Sequence, residues 1–393
     1  MAQRKQNPNT PENLAQLTQT ARDTDMGGLL RQFWQPVALS SHAAPGKAAA
    51  LRVFSEELTF YRGRDGAPFL VAGRCAHRCT RLHTGWVEGD EIRCMYHGWK
   101  YDGTGQCVEI PSEDDAIAAT VKIAGYPVHE YGGLVFAYLG DGAAPEFDLP
   151  RKDAFEQPGR MLFPRQQFWP CNWLQQVENS LDALHVSFVH QKGKVGYFGE
   201  AVTPSLPKLD YVETDAGIRQ IATRSADNVR ISDWTFPNNN HILIPSAFRD
   251  APWVDLGIWM IPVDDANTVR FQLYSIPSTT AEADQRMRQH FEQYSRYAPA
   301  DHHDELLHGD IYPEEVFLEL TNAQDYVAAV GQGSIVDRSQ ERLVSSDLGV
   351  ALVRRLFFRE MTARRSGKTT KNWVRLNEEI ELQTTARQEA IRA

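Results

Sequence analysis

Between about residue 35 and residue 145 the chain alternates apolar and polar positions in short runs broken by Gly and Asp. Examples are "LRVFSEELTFYRG", "FLVAGRC" and "VKIAGYPVHEYGGLVFAYLG". Successive side chains on a strand point to opposite faces, so a period of two predicts short strands of a small antiparallel β domain. The stretch "CAHRCTRLHTGWVEGDEIRCMYH", Cys75 to His97, interrupts the alternation and is expected in two loops of that domain. The Gly/Pro/Ala-rich "GDGAAPEFDLP" at 140–150 marks a candidate boundary.

After that boundary the period changes. Residues 171–190, 280–298, 313–331 and 345–366 read as helices. Residues 208–276 return to strands, as in "WVDLGIWMIPV" and "TVRFQLYSI". The expected fold class is α+β: a small antiparallel β domain, then an antiparallel sheet packed by helices. Residues 1 to about 28 are polar and Pro/Asn/Gln-rich, and ordered structure is expected to begin at "DMGGLLRQFWQPVAL". The expected division is an N-terminal extension on the second domain (1–34), the first domain (35–148) and the second domain (149–393). The tail "EEIELQTTARQEAIRA" reads as a peripheral helix or a frayed end.

Composition narrows the setting. The 393 residues are 42% hydrophobic and 23% charged, ordinary for a soluble globular chain. A net charge of −10 argues against nucleic acid or an anionic membrane as the main partner. No apolar run approaches the ~20 residues that cross a bilayer, and the N-terminus lacks the apolar segment of a secretory signal. A cytoplasmic protein is expected, and there clustered cysteines serve as ligands more often than as disulfides.

Two sets of residues carry metal chemistry. The first is Cys75-x-His77, then sixteen intervening residues, then Cys94-x-x-His97. Two thiolates and two imidazoles suit either tetrahedral zinc or a Rieske-type [2Fe–2S] cluster with two Cys on one iron and two His on the other. Cys-x-His splays its side chains from an extended loop, which favours two bridged irons. Gly98, Gly103 and Gly105 are expected to bring backbone N–H groups to the cluster sulfurs. The second set lies in "CNWLQQVENSLDALHVSFVH": Asp182, His185 and His190. Two imidazoles and a carboxylate are the ligands of a mononuclear non-heme Fe(II) site that leaves positions open. His185 and His190 stand roughly 140° apart on an ideal helix, so a widened or broken turn between them is expected, such as a π-bulge. Carboxylates are too abundant for spacing alone to select the third ligand.

The two sets together, with Asn172-Trp173 and Glu178-Asn179 ahead of the second, resemble the Rieske non-heme iron aromatic ring-hydroxylating oxygenases over nearly the whole chain. The segment "LTNAQDYVAAVGQGSIVDRSQERLVSSDLGVALVRR" looks like the α-subunit-only, phthalate dioxygenase-like branch. The resemblance implies a Rieske domain followed by a helix-grip, START-like catalytic domain. It implies a [2Fe–2S] cluster on Cys75, His77, Cys94 and His97, and a mononuclear Fe(II) on His185, His190 and Asp325, with Glu178 as the fallback ligand. Asp182 would instead bridge a neighbouring subunit's cluster histidine, His97, to His185. That arrangement implies a homotrimer or a dimer of trimers.

Departures from related proteins are informative. In membrane-complex Rieske proteins an added cysteine pair ties the cluster loops together. Here Cys79 falls one residue short of that place and Met95 occupies the other, so Cys79 and Cys107 are expected as free thiols. Trp99 stands where the high-potential members resemble each other in having a serine, while Tyr101 keeps the other hydroxyl donor. The potential is expected toward the low end of the Rieske range, about −150 mV.

The resemblance implies the terminal oxygenase of a multicomponent system. It would use O2 to hydroxylate, dihydroxylate or O-demethylate an aromatic, carboxylated substrate. Neither a Walker loop nor a clear GxGxxG fingerprint occurs, so NADH-derived electrons are expected from a separate flavin/iron–sulfur reductase. A carboxylate would want an arginine, and Arg224, Arg230 and Arg249 lie in the right region. The stretch "WTFPNNNHILIPSAF", with Trp253 and Trp259, suits either aromatic pocket walls or core. Cys171 reads as a small buried hydrophobe. The alternative function is a Rieske electron-transfer protein fused to a binding domain.

Overall fold

The period-two stretches fold as antiparallel strands. The computed structural model describes residues 10–148, 155–191, 205–296, 300–312, 320–368, 370, 371, 373, 383 and 384. Two compact units result, Thr20–Asp148 with Ile261–Asp265, and Met1–Gln19 with Leu149–Met260 and Ala266–Ala393. Residues 20–34, expected in an extension on the larger unit, group with the smaller one.

The smaller unit holds three small antiparallel sheets. One joins Trp34–Leu39, Leu134–Tyr138 and Val128–Tyr131. Another joins Ala48–Val53, Glu56–Arg62, Pro68–Ala72 and Gly125–Tyr126. The third joins Trp86–Glu88, Glu91–Arg93, Lys100–Tyr101 and Cys107–Glu109. The Cys/His stretch lies in loops flanking this third sheet, and its cysteines share a buried apolar cluster with Tyr61, Leu82, Ile92 and Tyr101.

The larger unit is built on one sheet. Seven strands run in the order Arg160–Trp169, Asn267–Pro277, Val254–Asp264, Asn239–Ile244, Asn228–Thr235, Gly217–Ser225 and Lys208–Glu213. An eighth, Gln383–Thr384, pairs with Asn228 and Val229, so the described part of the polar tail is strand rather than helix or frayed end. Helices pack against this sheet through aromatic side chains. Phe357, on the helix Leu348–Arg365, meets Trp173, Trp234 and Phe236 at ring-centroid distances of 5.4–5.7 Å. Phe291, on the helix Ala281–Arg296, stacks on Phe163 at 4.3 Å.

Several expected elements change length. Thr10 caps a helix at Pro11–Gln16, inside the polar N-terminal stretch, because Leu14 and Leu17 have an apolar surface to cover. The helix Ala300–His308 was not legible in the pattern. The helix expected at 313–331 is described from Leu320 to Val330, and residues 313–319 lie outside the described residues. The expected helix 171–190 is two pieces, Trp173–Ser180 and Val186–Val189.

Candidate metal centres and cavity

The two halves of the Cys/His stretch fold as the same turn. Cys75 N–H donates to the Thr80 carbonyl and Cys94 N–H to the Trp99 carbonyl, at 2.9 and 2.8 Å. Cys79 N–H donates to the Cys75 carbonyl and Gly98 N–H to the Cys94 carbonyl, at 3.0 and 3.1 Å. The fourth residue after each cysteine is left-handed, Cys79 at φ 58° and Gly98 at φ 74°. A glycine serves this geometry without strain, whereas Cys79 carries a side chain there. The expected glycine donors are used otherwise. Gly98 and Gly105 give their N–H groups to the Cys94 and Asp102 carbonyls, and Gly103 packs on the Phe69 ring.

These turns point two thiols inward and two imidazoles outward. Cys75 and Cys94 are each 2% exposed, while His77 and His97 are exposed, with ring centroids 4.4 Å apart. The Tyr101 hydroxyl lies 3.2 Å from Cys75 Sγ and accepts from Ala76 N–H. Burial pushes the Cys75 thiol up, against hydrogen bonds from Tyr101 and the His77 backbone. A bare thiolate is therefore disfavoured, and a cationic group binding it compensates. Among the described residues, no three of these four side chains bring ligand atoms within 4.8 Å of one another. They span more than one small ion would occupy, which fits a two-iron cluster better than zinc. Trp99 stacks on His77 at 4.7 Å with 5° between planes. Cys79 and Cys107 are free thiols.

The second set converges more tightly. After Ser180 the helix breaks, and four of the next five N–H groups find local partners instead. Leu181 N–H donates to the Glu178 carbonyl and Asp182 N–H to the Asn179 carbonyl. Leu184 and His185 N–H groups donate to Asp182 Oδ1, at 3.0 and 3.4 Å. Only Ala183 N–H is taken by a distant side chain, Gln220 Oε1 at 3.0 Å. His185 then starts the single turn Val186–Val189 and His190 ends it. The distortion thus falls at 181–184, ahead of His185. Between the histidines runs an ordinary turn, Val189 N–H to His185 O and His190 N–H to Val186 O, not a π-bulge. The two long rings curl from opposite ends of this turn toward one point.

Asp325, on the helix Leu320–Val330, completes the group. Its Oδ1 is 3.5 Å from both His185 Nε2 and His190 Nε2, which are 3.2 Å from each other. Asp325 Oδ1 is buried without a hydrogen bond among the described residues. Among the described residues this is the one cluster of three whose ligand atoms all lie within 4.8 Å. A buried carboxylate oxygen facing two imidazole nitrogens fits a divalent metal. Glu178 is elsewhere. It is buried, and both its oxygens are engaged, by Arg338 at 2.7 Å and by Arg354 at 2.7 Å.

Electrostatics separate the two histidines. Burial pushes His190 down to about 4, with Asp325 opposing and His185, Arg230 and Arg270 reinforcing. His190 is therefore neutral, as a ligand must be. For His185 burial also acts downward, but Asp182 and Asp325 outweigh it and its pKa is raised. Asp182 Oδ2 stands 3.8 Å from His185 Nδ1. Burial raises Asp182, yet His185 and the backbone donors win, and the carboxylate stays ionised.

The three side chains open on a cavity of about 230 Å³. Alternate residues of one strand, Val254, Leu256, Ile258 and Met260, make an apolar wall. Arg230, Ser232, Gln220 and Asn240 make a polar one. Burial lowers Arg230 to about 10, so it remains a cation. Asn240 is 5% exposed, and its side-chain oxygen has no hydrogen-bond partner among the described residues. Of the three arginines singled out from sequence, Arg230 lines the cavity. Arg224 instead binds the Ser205 carbonyl, and Arg249 is exposed outside the lining. Trp253 and Trp259 are buried and do not line the cavity, so they are core rather than pocket walls. Cys171 packs with Trp169, Tyr326 and Ala329, and burial pushes its thiol up to about 12. Of the stretch "WTFPNNNHILIPSAF", Asn240 and Ile242 line the cavity, whereas Gln220 and Arg270 were missed, because single polar residues on strands carry no spacing signal.

Residues 33–127 match the family described as Rieske [2Fe-2S] domain. The chain is 31% identical to the 5,5'-dehydrodivanillate O-demethylase oxygenase subunit of Sphingobium sp. (strain NBRC 103272 / SYK-6), over 94% of this chain and 85% of that one. It is 30% identical to the phenoxybenzoate dioxygenase subunit alpha of Ectopseudomonas oleovorans, over 86% and 82%. Its fold resembles the terminal oxygenase of carbazole 1,9a-dioxygenase from Novosphingobium sp. KA1, with a TM-score of 0.62 at 19% identity over 83% of this chain and 91% of that one. With the helix-packed sheet and the two sets of Cys, His and Asp side chains, these similarities place the chain in the Rieske non-heme iron aromatic ring-hydroxylating oxygenases, as an oxygenase subunit that takes a [2Fe–2S] cluster and a mononuclear iron.

Proposed function

We propose that Cys75, His77, Cys94 and His97 hold the cluster, that His185, His190 and Asp325 hold the iron, and that the cavity beside them receives an aromatic carboxylate. The convergence of those three ligands on the cavity wall carries the reading. When bound, the cluster supplies single electrons and the iron supplies a site for O2 chemistry. Asp182 Oδ2, 3.8 Å from His185 Nδ1, would orient that ring, and its second role would be to accept a hydrogen bond from His97 of a neighbouring subunit in a trimer or dimer of trimers. The apolar wall suits a ring, and Arg230 suits a carboxylate. Relatives similar over most of the chain are named for 5,5'-dehydrodivanillate, phenoxybenzoate, 3-chlorobenzoate and phthalate, all aromatic acids.

Electrons would come from NADH through a separate reductase. The described residues include no helix long and apolar enough to cross a membrane. The test is aerobic turnover of an aromatic-acid panel with a surrogate reductase and NADH. Formaldehyde release from methoxylated acids selects O-demethylation, and a cis-diol selects dioxygenation. Turnover by the purified chain with NADH alone would sink the separate reductase. A wild-type chain that binds its iron yet oxidises no acid of the panel, while oxidising neutral aromatics, would sink the carboxylate.

A further inference from the structure

The turn at 181–184 has to be held, because Asp182 and His185 both depend on it and it is neither helix nor strand. Two side chains of the sheet reach it. Tyr211 donates its hydroxyl to the Leu181 carbonyl at 3.0 Å. Gln220 accepts from Ala183 N–H at 3.0 Å and donates from its amide nitrogen to Ser232 Oγ at 3.1 Å. Ala183 is 4% exposed and Gln220 6%, so neither bond is replaced by solvent at no cost. Gln220 and Ser232 are direct partners on adjacent strands, and both line the cavity.

We propose that Gln220 is a positioning residue for the iron centre: its amide fixes the Asp182–His185 turn to the cavity wall, and so sets where His185 and the Asp182 carboxylate stand. The proposal rests on the assignment of His185, His190 and Asp325 as iron ligands. Among the described residues Gln220 makes no hydrogen bond to any of the three; it acts through the Ala183 backbone. Losing the acceptor leaves Ala183 N–H buried without a partner, and the turn relaxes to find one.

The test compares Gln220→Met with Gln220→Glu in the full-length, cluster-loaded protein. A carboxylate still accepts from Ala183 N–H, and the Ser232 hydroxyl can reverse to donate to it. Mononuclear iron is stripped and returned by Fe(II) titration, and the nitric oxide complex is read by EPR. Gln220→Met should weaken Fe(II) binding about 10- to 100-fold, as loss of an outer support does, and broaden the EPR signal. Gln220→Glu should restore both toward wild type. In steady-state turnover the Met variant should lose kcat more than it raises KM. If Gln220→Met does not fold, Gln220→Asn carries the same expectation, because its amide is one methylene too short to reach Ala183. Wild-type iron affinity and EPR shape in the Met or Asn variant overturn the proposal, as does a Glu variant no better than Met. A wild-type chain that holds no iron beyond its cluster overturns the ligand assignment, and the proposal with it.

Discussion

His185 Nε2 and His190 Nε2 lie 3.2 Å apart, although the residues cap opposite ends of one four-residue turn. Asp325 Oδ1 is 3.5 Å from each. Such convergence brings two nitrogens and an anion together at close range, which a shared cation would make favourable. His190→Ala and Asp325→Ala should each remove the mononuclear iron and spare the cluster. Iron analysis should fall from about three per chain to about two, with the visible spectrum of the cluster kept. Loss of the cluster together with the third iron would contradict separate sites.

Asp182 holds the turn with Oδ1 and faces His185 with Oδ2. Asp182→Asn keeps an acceptor for Leu184 N–H and removes the charge. The fold and both metal contents should survive, while kcat falls about 10- to 100-fold. Single-turnover measurements locate the loss. The cluster should still be reduced by its donor but reoxidise slowly in the presence of substrate and O2. Unchanged reoxidation would remove Asp182 from the electron route.

Trp99 covers the face of His77 rather than offering a hydroxyl to a sulfur, and Tyr101 is the side-chain hydroxyl found at Cys75. Fewer hydrogen bonds to sulfur disfavour the more negative reduced cluster. A redox titration should therefore place the potential near about −150 mV. Trp99→Ser should raise it by about 40 mV if the hydroxyl reaches a sulfur, taking ~1 kcal/mol for one hydrogen bond and ~59 mV per 1.4 kcal/mol for one electron. A value well above zero for wild type would contradict the argument.

Arg230 is 8% exposed and remains a cation on the cavity wall. Truncating one partner of a buried charge pair costs about 2–5 kcal/mol, so Arg230→Gln should raise KM for a carboxylated substrate at least about 30-fold. The methyl ester of the same acid should bind wild type and variant alike. Equal losses for acid and ester would assign Arg230 to packing instead.

Residue spacing made much of this site legible. Cys-x-His and Cys-x-x-His are local patterns, and each half closes its own turn through bonds four and five residues apart. His185 and His190 were legible for the same reason. What spacing could not supply came from across the chain. Asp325 is 135 residues after His190 by sequence number, and was reached only through resemblance. Gln220 reaches Ala183 over a separation of 37 residues, with nothing in its neighbourhood to mark it. The position of the helix break was misplaced because periodicity registers apolar faces, whereas the break is set by Asp182, Tyr211 and Gln220 bonding to backbone. The same limit left Trp253 and Trp259 open between cavity wall and core, since a strand's alternation does not say which face bounds a cavity.

Glu178 lies one turn before the break and anchors the helix that leads to it. Arg338 and Arg354 both bond its carboxylate, and Arg354 is also held by Glu341 at 2.8 Å. Burial alone would raise Glu178, but the two guanidiniums outweigh it and hold its pKa below the usual carboxylate value. A depressed folded pKa contributes stability that is present above the unfolded value, about 4.3, and is lost as pH falls through the folded one. Glu178→Gln removes that contribution and leaves buried guanidiniums under-compensated, a change that typically costs about 3–5 kcal/mol near neutrality. Urea unfolding at neutral pH should show that loss. Repeated at decreasing pH, the gap between wild type and variant should stay constant down to about 4.3 and then narrow, because the wild-type carboxyl becomes protonated and resembles the amide. A gap that persists unchanged well below that range would mean the amide disrupts packing rather than charge. A gap absent at neutral pH would mean that Glu341 alone suffices for Arg354.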